Sequence, residues 1–240
     1  MDITWLGHSA VRIKGSQSVL VTDPYDDSVG SAMPTVKADI ISVSHDHPHH
    51  SFVGAVEGDP RVLSGPGEYE IGNFFITGIG TPRHPRPKAP VVVPEAESEF
   101  GGGEVDELEE EKEEEKWDHQ INTVFIFRSE GLTICHLGVI GHALSPRQTE
   151  DLNQADVLII PVGGHSTIDV DKAAQLVSTI GPRIVVPVHY RVNGMDEDLE
   201  PVERFLGEIG ATDVSPQSRL SVTSTNLPRD MTVVVLNKGS

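Results

Sequence analysis

The order of apolar segments predicts an α/β fold in which sheets lie inside and helices lie outside. In the first half of the chain, short apolar and β-branched runs are separated by Gly, Asp and Pro turn signals. In the second half, similar runs alternate with longer segments of helical pattern. The 240 residues are enough to bury a sizeable core without disulfides.

Ten runs have the composition and length of strands. They are Ile3–Leu6, Ala10–Ile13, Val19–Thr22, Ile40–Val43, Arg61–Leu63, Asn73–Ile79, Asn122–Phe127, Leu132–His136, Val157–Pro161 and Ile184–Val188. Between two of these runs, the glycines and proline of Gly65–Glu70 indicate a tight turn with solvated acidic side chains.

Three helices are expected in the second half, each with a recognisable start or stop. A cap at Ser145 and a first-turn proline at Pro146 favour a helix that runs through Gln154. The other two are Val170–Thr179, preceded by Asp169 and stopped by Gly181-Pro182, and Glu197–Ile209, closed by Gly210.

The charge and cysteine content limit the classes of partner and the compartment. Eighteen basic and 37 acidic residues give a formal net charge of −19, which repels phosphate backbones and anionic membranes. No apolar run approaches the roughly 20 residues that a membrane helix needs. Cys135 has no second cysteine to pair with, and no secretory signal is recognisable. We therefore expect a cytoplasmic protein that binds neither nucleic acid nor membranes.

An acidic excursion at about residues 85–119 interrupts the pattern. It starts with a Pro-rich stretch and includes nine acidic residues and two lysines between Glu104 and Lys116. Low hydrophobicity with high charge predicts a mobile surface insertion in a single domain of residues 1–240. A lid, a cation-attracting tail and a partner-binding arm are alternatives.

A histidine-rich turn is the main functional signal. Four of eleven histidines fall within His45–His50, directly after the predicted strand Ile40–Val43. Ligands in α/β folds usually bind at the carboxyl ends of strands. Residues two apart in an extended chain face the same way, so His45 and His47 can point at one ion.

The turn resembles the His-x-His-x-Asp-His signature of the metallo-β-lactamase superfamily, and other segments match it in the family's order. These include Leu6–Ser9, Thr22–Pro24 and Pro161–Gly164, which resemble the lactonase-like branch of uncharacterised hydrolases. The resemblance implies a four-layer αβ/βα sandwich with a metal site at the rim between its sheets. It also implies metal ligands, with His45, His47 and His136 at a first position and His50 and His189 at a second.

Both aspartates of that family's metal site are replaced, by His49 in the turn and by Val139 after His136. Two divalent ions about 4 Å apart repel by roughly 16 kcal/mol at a dielectric constant of 20, and anionic ligands normally offset this repulsion. We therefore expect one ion per chain, although a second remains an alternative. Imidazole ligands favour zinc, with iron, nickel, copper and manganese as alternatives.

The leading functional hypothesis is a metal-dependent hydrolase that activates water against a small ester, lactone or phosphoester. His49 is a candidate to replace the missing aspartate in handling the water, and His165 is a candidate substrate contact or ligand. We expect Asp46, His8 and Asp23 to anchor the loops. The alternative is a non-catalytic metal-binding or scaffold protein that binds a partner through its acidic insertion. A homo-oligomer is permitted but not required.

Overall fold

The computed structural model describes residues 1–82, 121–195 and 198–239, which form two facing sheets and a small strand pair. Six strands form the first sheet: β1 (Asp2–Gly7), β2 (Ala10–Lys14), β3 (Val19–Thr22), β5 (Ile40–Val43), β7 (Arg61–Ser64) and β14 (Leu220–Ser221). Their order across the sheet is β14-β1-β2-β3-β5-β7. The small pair is parallel and consists of β4 (Val36–Lys37) and β6 (Val56–Glu57).

Seven described strands form the second sheet. They are β8 (Gly67–Ile71), β9 (Phe74–Pro82), β10 (Ile121–Ser129), β11 (Leu132–His136), β12 (Val157–Pro161), β13 (Ile184–Val188) and β15 (Thr232–Val233). Their order across the sheet is β15-β13-β12-β11-β10-β9-β8. The strands from β8 to β11 pair antiparallel, and those from β11 to β15 pair parallel.

Strand alternation explains how the first sheet is covered on both faces. Leu20 and Ile40 belong to the main core together with residues of the second sheet, so they point between the two sheets. Their neighbours Val21 and Ile41 point to the opposite face, into a smaller core that includes Val56 of β6. The small strand pair and nearby short turns therefore form the outer cover of this sheet.

Helices cover the outer face of the second sheet. They are α2 (Pro146–Leu152), α3 (Val170–Ile180) and α4 (Val202–Glu208); the short helix α1 (Pro48–Ser51) lies in the histidine-rich turn. Every residue of β12 and β13 is buried, as expected for parallel strands covered on both faces. Leu176 and Ile180 lie on the buried face of α3, and burial of each such side chain stabilises the fold by roughly 1.5–3 kcal/mol.

The predicted fold class is confirmed, and each of the ten predicted strands is present within a few residues of its expected bounds. Two local predictions were wrong. Gly67–Ile71 is an edge strand rather than part of a turn, because a strand open to solvent on one side tolerates the exposed Glu68 and Glu70. The last helix begins only at Val202, because the extended backbone of Pro201 caps it. The acidic excursion lies outside the described residues.

The carboxyl ends of β1, β3, β5, β12 and β13 meet at one rim of the two sheets. The residues that follow these strands include His8, Asp23, the histidine-rich turn, His165 and His189. None of the described helices is long and apolar enough to cross a bilayer.

Candidate metal centre

The histidine-rich turn buries one of its histidines by starting a short helix. His47 has an extended backbone and caps α1, because its Nδ1 accepts a hydrogen bond from the amide of His49 at 3.2 Å. Pro48 suits the first helical position. One turn later the side chain of His50 is buried, with 4% of its surface exposed, whereas His47 remains exposed.

His8 and His189 come from different sheets and are tied together through their backbones. The carbonyl of His8 accepts hydrogen bonds from Trp5 Nε1 and from the amide of His189, each at 2.9 Å. Both histidines have left-handed backbones, with φ of 48° and 52°. Such a conformation costs about 1 kcal/mol or more and persists only where the surroundings enforce it, as often occurs at functional sites.

His8, His50 and His189 form the three-histidine cluster. One ring nitrogen of each lies within 4.8 Å of those of the other two, and all three side chains are buried. His8 Nε2 and His50 Nε2 are 3.4 Å apart. The ring centroids of His8 and His189 are 4.3 Å apart. The donor atoms of three imidazoles thus converge on one point, as a metal ion would require.

Asp23 lies behind the cluster, beside His50. It is fully buried, and its carboxylate accepts hydrogen bonds from the amide and hydroxyl of Ser44 at 2.7 and 2.6 Å. His50 Nδ1 lies 3.6 Å from Asp23 Oδ2, on the side of the ring opposite His8. Burial raises the pKa of the Asp23 carboxyl above its ordinary value, while nearby His136 and the bonds from Ser44 oppose this rise. A carboxylate behind an imidazole is a common support of metal sites.

A cavity of about 510 Å³ opens onto the cluster. Six histidines line it, together with serine, glycine and apolar residues. The histidines are His8, His47, His49, His50, His165 and His189. Among its described lining residues, Asp198 is the one carboxylate, and there is no lysine or arginine. His49 and His165, the residues predicted to handle water or substrate, thus share a cavity with the cluster.

The other predicted ligands do not belong to this three-histidine cluster, although the ring centroids of His45 and His47 lie 6.3 and 6.4 Å from that of His50. His45 lines a separate cavity of about 590 Å³, and its ring stacks near that of His47 at a centroid distance of 6.1 Å. His136 is fully buried, with Nε2 3.1 Å from the Ser9 carbonyl and 3.4 Å from Thr22 Oγ1. The structure therefore brings His50 and His189 of the predicted set together, and leaves His45, His47 and His136 outside the group.

Val139 lies in an apolar, well-packed position of the loop after β11. Val139 is fully buried, and its amide donates to Asn122 Oδ1 at 2.8 Å. Asn122 in turn donates to the carbonyl of Leu137, so its side chain fixes the loop after β11. The valine side chain has no atom that can bind a cation.

From the sequence, we expect His8 only to anchor a loop. Its place at the end of a strand was the available signal, because it stands 42 positions before His50 and outside any ligand spacing. Asp23, by contrast, has the supporting position that was predicted for it.

Comparison with known proteins gives consistent matches. The model of the β-lactamase superfamily domain matches residues 2–189. A UPF0173 protein of Pyrococcus furiosus is 29% identical over 85% of this chain and 88% of its own length. A UPF0173 metal-dependent hydrolase of Methanospirillum hungatei is 26% identical, covering 88% and 92% of the two chains. A crystal structure from Thermotoga maritima, assigned to the Zn-dependent hydrolases of the metallo-β-lactamase superfamily, has a TM-score of 0.70 at 29% identity and covers 98% and 97%.

Proposed function

The chain belongs to the β-lactamase superfamily, and from this membership we propose that it is a metal-dependent hydrolase of small molecules. The observation that carries the proposal is the convergence of three buried imidazoles at the floor of an open cavity. Relatives named metal-dependent hydrolases cover most of the chain, which supports the same reaction class.

The residues present fit a divalent metal ion with a preference for nitrogen ligands. Neutral imidazoles suit zinc, and iron, nickel and copper are the alternatives. Three protein ligands and an open position toward a cavity are typical of catalytic rather than structural zinc. A zinc ion bound there would supply Lewis acidity and lower the pKa of a water molecule to roughly 7.

His49 and His165 are the residues that we propose to handle protons and substrate. His49 is half-buried beside the cluster, with its ring centroid 5.8 Å from that of His8. His165 is exposed on the loop after β12 and lines the same cavity. A neutral imidazole at either position can accept a proton from water or donate one to a leaving group at neutral pH.

The lining of the cavity favours an uncharged substrate. Phosphate recognition commonly uses arginine or lysine, and the described lining contains neither. The net charge of −19 further disfavours polyanions. Among the small substrates considered, we therefore propose a neutral ester or lactone ahead of a phosphoester.

The test is hydrolysis of matched chromogenic esters, lactones and phosphodiesters by tag-free protein with added zinc. We expect turnover of a neutral ester or lactone that His50→Ala abolishes. His142→Ala is the control, because this histidine lies outside the described lining of the cavity. Zinc binding without turnover across the panel would instead favour a binding or scaffold protein, and activity unaffected by His50→Ala would refute the proposed site.

A further inference from the structure

We propose that His8 is a metal ligand and that it completes, with His50 and His189, a single three-imidazole site that works without the missing aspartates. This assignment rests on the proposed metal dependence but concerns which side chains hold the ion. His8 lies outside the histidine-rich turn, at the end of β1. The spacing of its donor atom, its hydrogen-bond partners and its backbone conformation support this role.

The spacing of the donor atoms fits tetrahedral zinc. With zinc–nitrogen bonds of about 2.0–2.1 Å, two ligands of a tetrahedral site stand roughly 3.4 Å apart. His8 Nε2 and His50 Nε2 are separated by 3.4 Å. The nitrogen of His189 lies within 4.8 Å of both, so a small side-chain movement would complete the triangle.

The nitrogen of His50 that faces His8 is the one that a metal would use. Because Asp23 lies beside His50 Nδ1, the proton of a neutral ring belongs on Nδ1, and the lone pair belongs on Nε2. Asp23 is itself fixed by two hydrogen bonds from Ser44. The carboxylate therefore stands on the Nδ1 side of the His50 ring and the cluster on its Nε2 side, an order typical of metal sites.

The hydrogen bonds of the competing histidines hinder their use as ligands. His47 Nδ1 accepts the amide proton of His49, which places the remaining proton of a neutral ring on Nε2. His136 Nε2 faces the Ser9 carbonyl, and since a carbonyl can only accept, this nitrogen must carry the proton. Coordination through either Nε2 would break a hydrogen bond with the backbone, whereas the contact between His8 Nε2 and His50 Nε2 lies within the cluster itself.

Two hydrogen bonds hold the backbone of His8 in a fixed position. Its carbonyl is bonded by Trp5 of the first sheet and by the amide of His189, another member of the cluster. His8, His189 and Asp23 all have left-handed backbones, with φ of 48°, 52° and 41°. Uncommon backbone conformations at three neighbouring positions of the rim are typical of a geometry maintained for function.

The test measures zinc content and zinc affinity of the full chain, without an affinity tag, by elemental mass spectrometry and competition with a chromophoric chelator. His8→Asn is the key variant, because asparagine tolerates the left-handed backbone and so separates loss of the ligand from loss of the fold. The matched control is the double variant His45→Ala, His47→Asn, in which asparagine can still cap α1. Circular dichroism and thermal unfolding verify that each variant is folded.

We expect about one zinc per wild-type chain. His8→Asn should weaken zinc binding by about 100-fold or more, because loss of a residue that only supports a ligand already costs 10–100-fold. The zinc affinity of the double variant should stay within about 3-fold of wild type. This change is well below the 10–100-fold loss expected for a residue that supports a ligand. Wild-type affinity in His8→Asn, or loss of zinc in the double variant, would overturn the assignment.

The outcomes also separate this assignment from the proposed hydrolase activity. If His8→Asn loses zinc but wild type hydrolyses nothing, the ligand set stands and the activity fails. If the wild type hydrolyses esters while His8→Asn retains zinc, the activity stands and the assignment of His8 fails. A wild-type chain that binds no metal after incubation with zinc would overturn both.

Discussion

Replacing Asp23 by asparagine should weaken zinc binding while leaving the fold intact. In the structure, the carboxylate accepts two hydrogen bonds from Ser44 and lies 3.6 Å from His50 Nδ1. If the introduced asparagine kept its oxygen on the Ser44 amide, its NH₂ group would face His50 Nδ1. The His50 ring would then accept at Nδ1 and carry its proton on Nε2, the nitrogen that faces His8.

The expected magnitude follows from this change of tautomer. Loss of a carboxylate that stands behind a metal-binding imidazole and favours its tautomer should lower metal affinity by about 10–100-fold, or roughly 1.4–2.7 kcal/mol. The free energy of unfolding of the metal-free protein should change by less than about 2 kcal/mol, because lost charged hydrogen bonds and relief of a buried charge oppose each other.

The assay is zinc competition with a chromophoric chelator, combined with urea unfolding of the metal-free variants. Asp39→Asn is the control. Like Asp23, Asp39 accepts a hydrogen bond from a backbone amide. The donor is Val19, at 2.8 Å, which lies at the start of β3, away from the histidines. Unchanged zinc affinity in Asp23→Asn, or an equal loss in Asp39→Asn, would refute the reasoning.

Three further predictions concern a closely packed glycine, a hydrogen-bonded carboxylate and a buried thiol. Gly163→Ala should destabilise the protein by about 1–3 kcal/mol and weaken zinc binding, because the added Cβ would overlap the carbonyl oxygen of His189 in the cluster. Gly207→Ala, which meets no atom within 4 Å in helix α4, should instead be neutral or stabilise by up to about 1 kcal/mol in urea unfolding; equal effects would contradict the packing argument. Glu130→Gln should destabilise by about 1 kcal/mol at pH 7, because the amide of Ser16 donates to this carboxylate at 2.6 Å and lowers its pKa. Because the folded-state pKa of Glu130 is lowered, its ionised carboxylate stabilises the fold above the unfolded-state pKa, and this contribution is lost as the pH falls through the folded-state pKa. The difference in stability between wild type and Glu130→Gln should therefore vanish in acid. A pH-independent difference would argue against this explanation. Cys135 should resist aromatic disulfide reagents at pH 8 until the protein unfolds, because burial makes it inaccessible and raises its pKa to about 12; rapid reaction of the native protein would show the core to be open.

The sequence was sufficient for the fold because periodicity and strand-end position are local signals. β3, β5 and β11 begin and end at the predicted residues. The edge strand β8 was missed, since its glycines and exposed acidic residues have the composition of a turn. Pairing with β9, which sequence composition does not encode, decides its conformation.

The candidate site was only partly accessible from sequence. The position of histidines after strands located the rim, where the structure places His50 and His189 close together. It could not show that His8 joins them, because that contact depends on how the two sheets face each other. Nor could spacing reveal the hydrogen-bond partners of His47 and His136, which decide whether a ring nitrogen is available to a metal. The roles of all these residues remain predictions.

The most direct test of the metal assignment is anomalous diffraction at the zinc absorption edge from crystals of the zinc-loaded protein. One strong peak is predicted, at about 2.0–2.1 Å from a ring nitrogen of each of His8, His50 and His189. A peak between His45 and His47, or a second peak of similar height, would contradict the single three-imidazole site.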